Sequence, residues 1–445
     1  MKVTMVGGGS ASWTPILLQS FMLNPALEGA ELCLYDIDPN ALRDSAWLCS
    51  RYIEKRPECR IQITQSTELD SALKGAKYVI VAISHGGLDA ELEDHRIARK
   101  YGLYNIKGSE VGIAGASRTI RMVPELVRIA THMKRICSDA IMLNVSNPLT
   151  SLTRSVRKYA DVEAVGLCHG VINHLSILLP MIGAKRIDEV DFNVAGVDHD
   201  SWLLSVKYHG KDALEKIRSD GWIERARQNE KIGEFDDPFA GRENQRLRFL
   251  LWDTFGYMPA ISDEHCVEFF GQMIQTKERR DYFGMHYDRI VERTNTVEAA
   301  KASVAKQLCG ETEIKIQPQG EIVDKLIAAL EGYGPYTDIM NYRNVGQVSN
   351  LPLDSVVETR VYVDSCGFHP VHAGALPPQI EPIVRPVAVR EELFMEAAME
   401  QSFEKLRAAL VMDPLEFDFR CIDAVCHDIL DYNKQFIMDT SILKN

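Results

Sequence analysis

The chain has 445 residues, 46% of them hydrophobic, enough to bury a large core and long enough for two or three structural units. A formal net charge of -13 argues against a nucleic-acid or anionic-lipid surface, because no localised basic patch offsets the repulsion. Ten cysteines without small-domain spacing read as reduced thiols, a strand starting at Lys2 leaves no room for a signal peptide, and no apolar run nears the roughly 20 residues of a membrane span. A soluble, cytoplasmic protein is expected.

Taken in chain order, apolar runs at Val3–Val6, Glu31–Tyr35, Tyr78–Ile83 and Ala140–Val145 alternate with amphipathic stretches such as Asn40–Lys55 and Thr119–Arg135. That rhythm predicts an α/β protein with a parallel sheet and helices on both faces. A helix over Thr150–Tyr159 leads to a strand over Ala164–Leu167, which delivers Cys168 to its carboxyl end, where open α/β sheets bind ligands. After Asp188 the texture changes. Val190–Ala195 and Trp202–Tyr208 alternate like antiparallel strands, and Ala213–Arg248 reads as long polar helical stretches. Residues 349–390, with Val356–Val363 and Leu376-Pro377-Pro378, read as strands and extended loops before a closing helix over Glu391–Val411. The expected division is a Rossmann-type, doubly wound unit over 1–187 and a mixed α/β unit over 188–445 for catalysis, substrate binding and oligomerisation.

Val6-Gly7-Gly8-Gly9-Ser10-Ala11-Ser12 fits the G-x-G-x-x-G turn except that Ser12 replaces the last glycine. Gly7, Gly8, Gly9 and Ser10 would let backbone N–H groups approach a pyrophosphate at a helix start. The second strand ends in Asp36, whose carboxylate would accept both ribose hydrogen bonds and repel a 2′-phosphate, favouring NAD over NADP. The blander alternative is a glycine turn in an unrelated α/β protein, with Asp36 a solvated strand end.

Cys168 and His199 are borderline-soft ligands for a divalent metal. Singly, Cys168 would be a buried small hydrophobe; at a strand end followed by polar residues it becomes a ligand candidate. Asn147, in Asn144-Val145-Ser146-Asn147-Pro148, ends the preceding strand in the same manner. Its place before proline holds it extended, either to bond a ligand hydroxyl or the cofactor ribose, or to cap the next helix.

The glycine turn, Asn147-Pro148, Cys168-His169, the Asp198-His199 segment, Gly346-Gln347-Val348-Ser349-Asn350-Leu351-Pro352 and Val356-Val357-Glu358 together resemble glycoside hydrolase family 4 across nearly the whole chain. That resemblance implies a lactate/malate dehydrogenase-like fold, NAD, a divalent metal (usually Mn²⁺), and a homodimer or homotetramer acting on a carbohydrate. It implies metal ligation by Cys168 and His199, and glycoside cleavage by C3 oxidation, C2 deprotonation, elimination, water addition and re-reduction. It makes His169 a candidate general acid, or an orienter contacting the sugar hydroxyls. His265 takes the place of the C2 base, with Tyr257 and Asp263 as alternatives, and Glu110 joins Asn147 and His169 near the sugar.

Phosphosugar members of the family recognise a 6-phosphate with arginines. Here Lys315–Asp324 lacks Arg-Gly-Gly and Tyr-Ser, and Glu91 stands where many relatives place an arginine. Cys168-His169-Gly170 resembles the α-galactosidase and α-uronidase branches, so the expected substrate is a non-phosphorylated α-hexoside or α-hexuronide, with Gly170 favouring a glucuronide. Arg118 or Arg121 would supply the cation for a uronate carboxylate. Two other readings compete: an NAD-dependent 2-hydroxyacid dehydrogenase, which would produce net NADH, and a non-catalytic NAD-sensing protein, which would tolerate Cys168→Ser.

Overall fold

The structure, a computed structural model, describes residues 1–228, 245–285, 289–320, 322–415 and 417–437. Six parallel strands form its first half: β1 (Lys2–Val6), β2 (Glu31–Tyr35), β3 (Gln62–Ser66), β4 (Ala76–Val81), β5 (Ile141–Asn144) and β6 (Ala164–Gly166). They lie in the order β6-β5-β4-β1-β2-β3, the doubly wound arrangement whose order reverses beside β1. Alternate residues feed two cores. Val3, Met5, Leu32, Leu34, Tyr78 and Ile80 point to one face, and Val6, Cys33, Tyr35, Val79 and Val81 to the other. Burial on both faces is why these strands are continuous apolar runs in the sequence.

The sheet continues through antiparallel strands: β7 (Val190–Val197), β8 (Asp200–Tyr208), β9 (Lys211–Asp212), β10 (Met258–Pro259), β11 (Tyr336–Arg343), β12 (Val356–Asp364) and β13 (Gly367–Pro370). β11 pairs with β6, and β12, β7, β8 and β10 follow outward in that order. One row of paired residues crosses this junction: Gly166, Asn341, Glu358, Gly196 and Ser201. A Cβ on Gly196 would meet the Asp200 carbonyl oxygen at 2.2 Å, so only glycine lets the β7–β8 hairpin close this tightly.

Two expected elements fall differently. The closing helix over Glu391–Val411 is two helices, Glu381–Glu400 and Phe403–Val411, parted where Gln401 takes a left-handed conformation (φ 54°) and the Ser402 side chain accepts the Lys405 N–H. The first begins ten residues early because Pro382 sits in its first turn, where a missing N–H costs nothing. The stretch over Ala213–Arg248 contains the helices Ala213–Ser219 and Trp222–Arg227 and the start of Arg246–Phe255, while 229–244 lie outside the described residues. Among the described residues no helix is long and apolar enough to cross a membrane.

Candidate active site

The glycine turn lies at the switch point between β1 and β4. Tyr35 O accepts the N–H groups of Gly7 (2.9 Å) and Gly8 (2.8 Å), and Asp36 Oδ2 accepts that of Gly9 at 2.8 Å. Gly7 has φ 95°, and a Cβ there would lie 2.2 Å from the Ala82 carbonyl oxygen at the end of β4. Ser10 Oγ accepts the Trp13 N–H at 3.1 Å, bracing the start of the helix Trp13–Leu23. Asp36 therefore shapes the turn, and its Oδ1 takes the Asp38 N–H.

The row across β6, β11, β12, β7 and β8 explains why Cys168 and His199 meet. Cys168 lies two residues beyond Gly166 on β6, and Asp198 and His199 form the two-residue turn beyond Gly196 on β7. His199 holds φ 64°, a left-handed position that β7 and β8 enforce from both sides. Its Nε2 stands 3.3 Å from Cys168 Sγ, which also receives the Gly170 N–H at 3.3 Å. On the other side of the ring, His199 Nδ1 approaches Glu110 Oε2 at 3.0 Å and Asp198 Oδ2 at 3.4 Å without hydrogen-bond alignment. His265 stacks on His199, with centroids 3.9 Å apart and planes 29° from parallel.

Two overlapping groups thus have ligand atoms within 4.8 Å of one another: Cys168, Asp198 and His199; and Glu110, His199 and His265. Both Glu110 oxygens, Asp198 Oδ2 and His199 Nδ1 are buried without a hydrogen-bond partner. Orphaned acceptors beside a thiol and an imidazole are a donor set that fits a divalent cation, whose charge would compensate them.

The electrostatics agree. Burial, and then the neighbouring Asp198 charge, push the Cys168 thiol up to about 11. Burial also lifts Asp198 to about 6, with Glu110 adding to the rise. For His199 burial acts downward, but the Asp198 and Glu110 carboxylates and Cys168 hold it well above the usual histidine range. Behind this cluster Asn341 Nδ2 donates to Asp198 Oδ1 at 2.9 Å, and Ser201 Oγ donates to Glu358 Oε2 at 2.6 Å. Burial, and then Asp198, raise Glu358 to about 8.

Glu110 rides on a loop clamped at both ends. Glu268 Oε1 accepts the N–H groups of Lys107 (2.9 Å) and Gly108 (2.6 Å), and Asp413 Oδ2 accepts that of Gly112 at 2.9 Å. Asp413 is itself held by buried Arg390 at 2.9 Å.

The other expected residues separate. His169 is the N-cap of the helix Gly170–Ser176, next to Cys168. Asn147 does not cap the helix Leu149–Ala160, which has no side-chain cap; its carbonyl accepts from Arg118 Nε at 3.1 Å. Asp263 is not brought into the cluster. Its two oxygens accept the N–H groups of Leu247 (3.0 Å) and Arg248 (2.8 Å), so it caps the helix Arg246–Phe255. Tyr257 is half-buried against the main apolar core, outside both ligand groups. Arg121 is fully buried and committed to Asp94 by two bonds of 2.8 and 2.6 Å. Asp324 accepts from Asn24 at 2.9 Å, and residue 321 of the Lys315–Asp324 stretch lies outside the described residues.

The profile described as Family 4 glycosyl hydrolase matches residues 2–183, and that of the Family 4 glycosyl hydrolase C-terminal domain matches 194–416. The chain belongs to glycosyl hydrolase family 4. Within family 4, an alpha-galactosidase of Bacillus subtilis (strain 168) is 30% identical over 438 residues, 96% of this chain and 97% of the relative. An alpha-galacturonidase of Thermoanaerobacter italicus is 26% identical over 431 residues, covering 93% and 92% of the two chains. The crystal structure of the Thermotoga maritima 6-phospho-beta glucosidase with manganese, NAD+ and glucose-6-phosphate has the same fold, with a TM-score of 0.80 at 24% identity over 98% of this chain and 99% of that one.

Asn341, Glu268 and Asp413 went unseen in the sequence. Asn341 and Glu268 stand among other polar residues of their strand and helix, and their partners lie more than 100 positions away.

Proposed function

We propose that the protein is a glycosidase of a non-phosphorylated α-hexoside or α-hexuronide, working with bound NAD and a divalent metal such as Mn²⁺. The observation that carries this reading is the convergence of Cys168, His199, Asp198 and Glu110, with unpartnered buried acceptors, beyond the strand ends of a sheet bearing a dinucleotide turn. The curated relatives named above act on galactosides and galacturonides, which supports the substrate class. The manganese and NAD+ bound by the Thermotoga maritima enzyme support the cofactors.

When bound, the metal supplies Lewis-acid polarisation and the nicotinamide accepts and returns a hydride. This chain's residues do the rest. Cys168 and His199 hold the cation, and the carboxylates of Glu110 and Asp198, 3.0 and 3.4 Å from His199 Nδ1, surround it with negative charge. His265, whose ring stacks on His199, takes the C2 proton in this reading, with Tyr257 as the second candidate. His169, at a helix start beside Cys168, hands a proton to the leaving oxygen or orients the sugar hydroxyls. Residues 1–187 carry the NAD site and 188–445 supply His199, His265 and the oligomer contacts of a cytoplasmic homodimer or homotetramer.

The test is a panel of neutral, uronic and 6-phosphorylated α- and β-glycosides assayed with NAD, Mn²⁺ and reductant, with and without chelator. Cleavage of a non-phosphorylated α-glycoside that chelator abolishes supports the reading. Cleavage of 6-phosphorylated sugars alone refutes the substrate class.

A further inference from the structure

Glu110 stands beside His199 without a hydrogen bond of its own. Its Oε2 lies 3.0 Å from His199 Nδ1, yet both carboxylate oxygens are buried with no hydrogen-bond partner among the described residues. The place of such a side chain is set by the backbone that carries it. That backbone is held two residues on, where Gly112 opens the helix Gly112–Ile136 at φ 71° and gives its N–H to Asp413 Oδ2 at 2.9 Å. The junction has no slack: a Cβ on Gly112 would lie 2.6 Å from Leu415 Cδ1 and 2.7 Å from Asn105 Nδ2. Asp413 is aimed by two further bonds, from the Leu415 N–H to Oδ1 at 2.9 Å and from Arg390 Nη1 to Oδ2 at 2.9 Å.

Arg390 is fully buried on the helix Glu381–Glu400. Its second arm, Nη2, donates to Glu391 Oε1 at 2.8 Å, and Glu391 Oε2 accepts from Ser151 Oγ in the helix Leu149–Ala160, which follows Asn147-Pro148. Burial works against the guanidinium charge, and Asp413 and then Glu391 more than offset it. Asp200, one residue after His199, also feels that charge: burial lifts it to about 7, while the Trp202 hydrogen bond and then Arg390 pull the other way. A buried ion pair is a poor source of net stability, because desolvation cancels most of the attraction. What a planar two-armed fork adds is geometry, fixing two carboxylates at once where a lysine would serve one.

We propose that Arg390 is a positioning residue of the metal centre: through Asp413 and the Gly112 N–H it fixes the loop that keeps the Glu110 carboxylate beside His199. Glu391 and Ser151 anchor the other arm of the fork, so the helix that carries Arg390 and the helix after Asn147 form one frame. The inference rests on the metal-dependent reading of the site and adds to it a residue that acts at one remove. Charge and position make opposite demands on Arg390. A buried cation repels Mn²⁺, so removing it for its charge alone would tighten binding. Removing it as a support lets Glu110 withdraw its negative charge, which weakens binding.

The experiment measures Mn²⁺ and NAD affinity of the full chain by calorimetry at about pH 8, for wild type, Arg390→Met, Arg390→Lys, Glu110→Gln and the doubles of each Arg390 variant with Glu110→Gln. Arg390→Met and Glu110→Gln should each weaken Mn²⁺ binding by about tenfold, the loss usual when a group supporting a metal ligand is removed. Arg390→Lys keeps the charge but has one arm instead of two, so it should lose about threefold, and it decides the matter if Arg390→Met folds poorly. In the Glu110→Gln background neither Arg390 variant should lower Mn²⁺ affinity further by more than about twofold, and NAD affinity should stay within about twofold throughout. Mn²⁺ binding unchanged or tightened in Arg390→Met, or in Arg390→Lys where only that variant folds, overturns the proposal. So do a Glu110→Gln affinity equal to that of the wild type, losses that add to that of Glu110→Gln, or a parallel loss of NAD affinity, which marks general misfolding. A wild type that binds no Mn²⁺ removes the metal centre and the proposal with it. The glycosidase reading fails separately, when the affinities follow this pattern but no glycoside is cleaved.

Discussion

Replacing Cys168 by serine tests the metal centre, and the structure sets the size of the effect. The thiol lies 3.3 Å from His199 Nε2 and is pushed up to about 11, while His199 is held well above the usual histidine range. Both groups carry a proton near neutral pH that a cation must displace, since only thiolate and neutral imidazole are ligands. Lowering the pH therefore weakens binding, and Mn²⁺ affinity should rise with pH by about one power of ten per unit for the Cys168 proton, and more steeply wherever His199 also gives up its own. Serine does not ionise near neutral pH, so Cys168→Ser should lower that slope by about one and weaken binding at pH 8 by about tenfold or more. Through mass action the wild type gains about 2.7 kcal/mol of stability at a cation concentration 100 times its dissociation constant. At the same concentration a tenfold weaker variant gains about 1.4 kcal/mol. Isothermal titration calorimetry in buffers of different ionisation enthalpy counts the protons, and thermal unfolding with and without Mn²⁺ reads the stability. An affinity and a slope unchanged in Cys168→Ser would refute the assignment of Cys168 as a ligand.

Two further substitutions separate structural from chemical roles. Asp263→Ala should destabilise the protein by about 1–2 kcal/mol in denaturant unfolding, because the N–H groups of Leu247 and Arg248 lose their acceptor. Asp263→Asn keeps one of the two acceptors and should keep kcat within about threefold, whereas a catalytic base changed to amide loses the factor of about 100 or more usual for proton transfer. Gly9→Ala places a methyl 2.8 Å from Asp36 Oδ2 and 2.9 Å from Ala41 Cβ, so the turn must open. NAD half-saturation, read by nicotinamide fluorescence on reduction or by calorimetry, should rise about tenfold with Mn²⁺ affinity unchanged; equal loss of both would point to general misfolding.

The parallel half of the fold was legible because its strands are buried on both faces and write themselves as apolar runs; β2 matches its expected bounds residue for residue. β3, Gln62-Ile63-Thr64-Gln65-Ser66, was not, since as an edge strand largely open to water it needs no apolar alternation. β11 hid for another reason. Its Asp338, Asn341 and Arg343 look like a loop, yet Asn341 is fully buried because it serves Asp198 and Glu358 across three strands. In the site, Cys168 and His199 were visible as residue types at strand ends, and the structure brings them together. The clamp on Glu110 was not visible, because Glu268 and Asp413 reach it from 160 and 301 positions away. Asp263 misled because an acid two residues before a histidine at a helix start has the same sequence whether it takes a proton or caps a neighbouring helix.

The proposed cleavage oxidises C3, then removes the C2 proton of the sugar, and ends with NAD unchanged. Turnover of an α-hexoside in D₂O, with the released sugar examined by NMR and NADH followed at equilibrium, tests this most directly. The account predicts deuterium at C2 of the product and no net NADH. Unlabelled product, or NADH formed in step with substrate consumed, would contradict it.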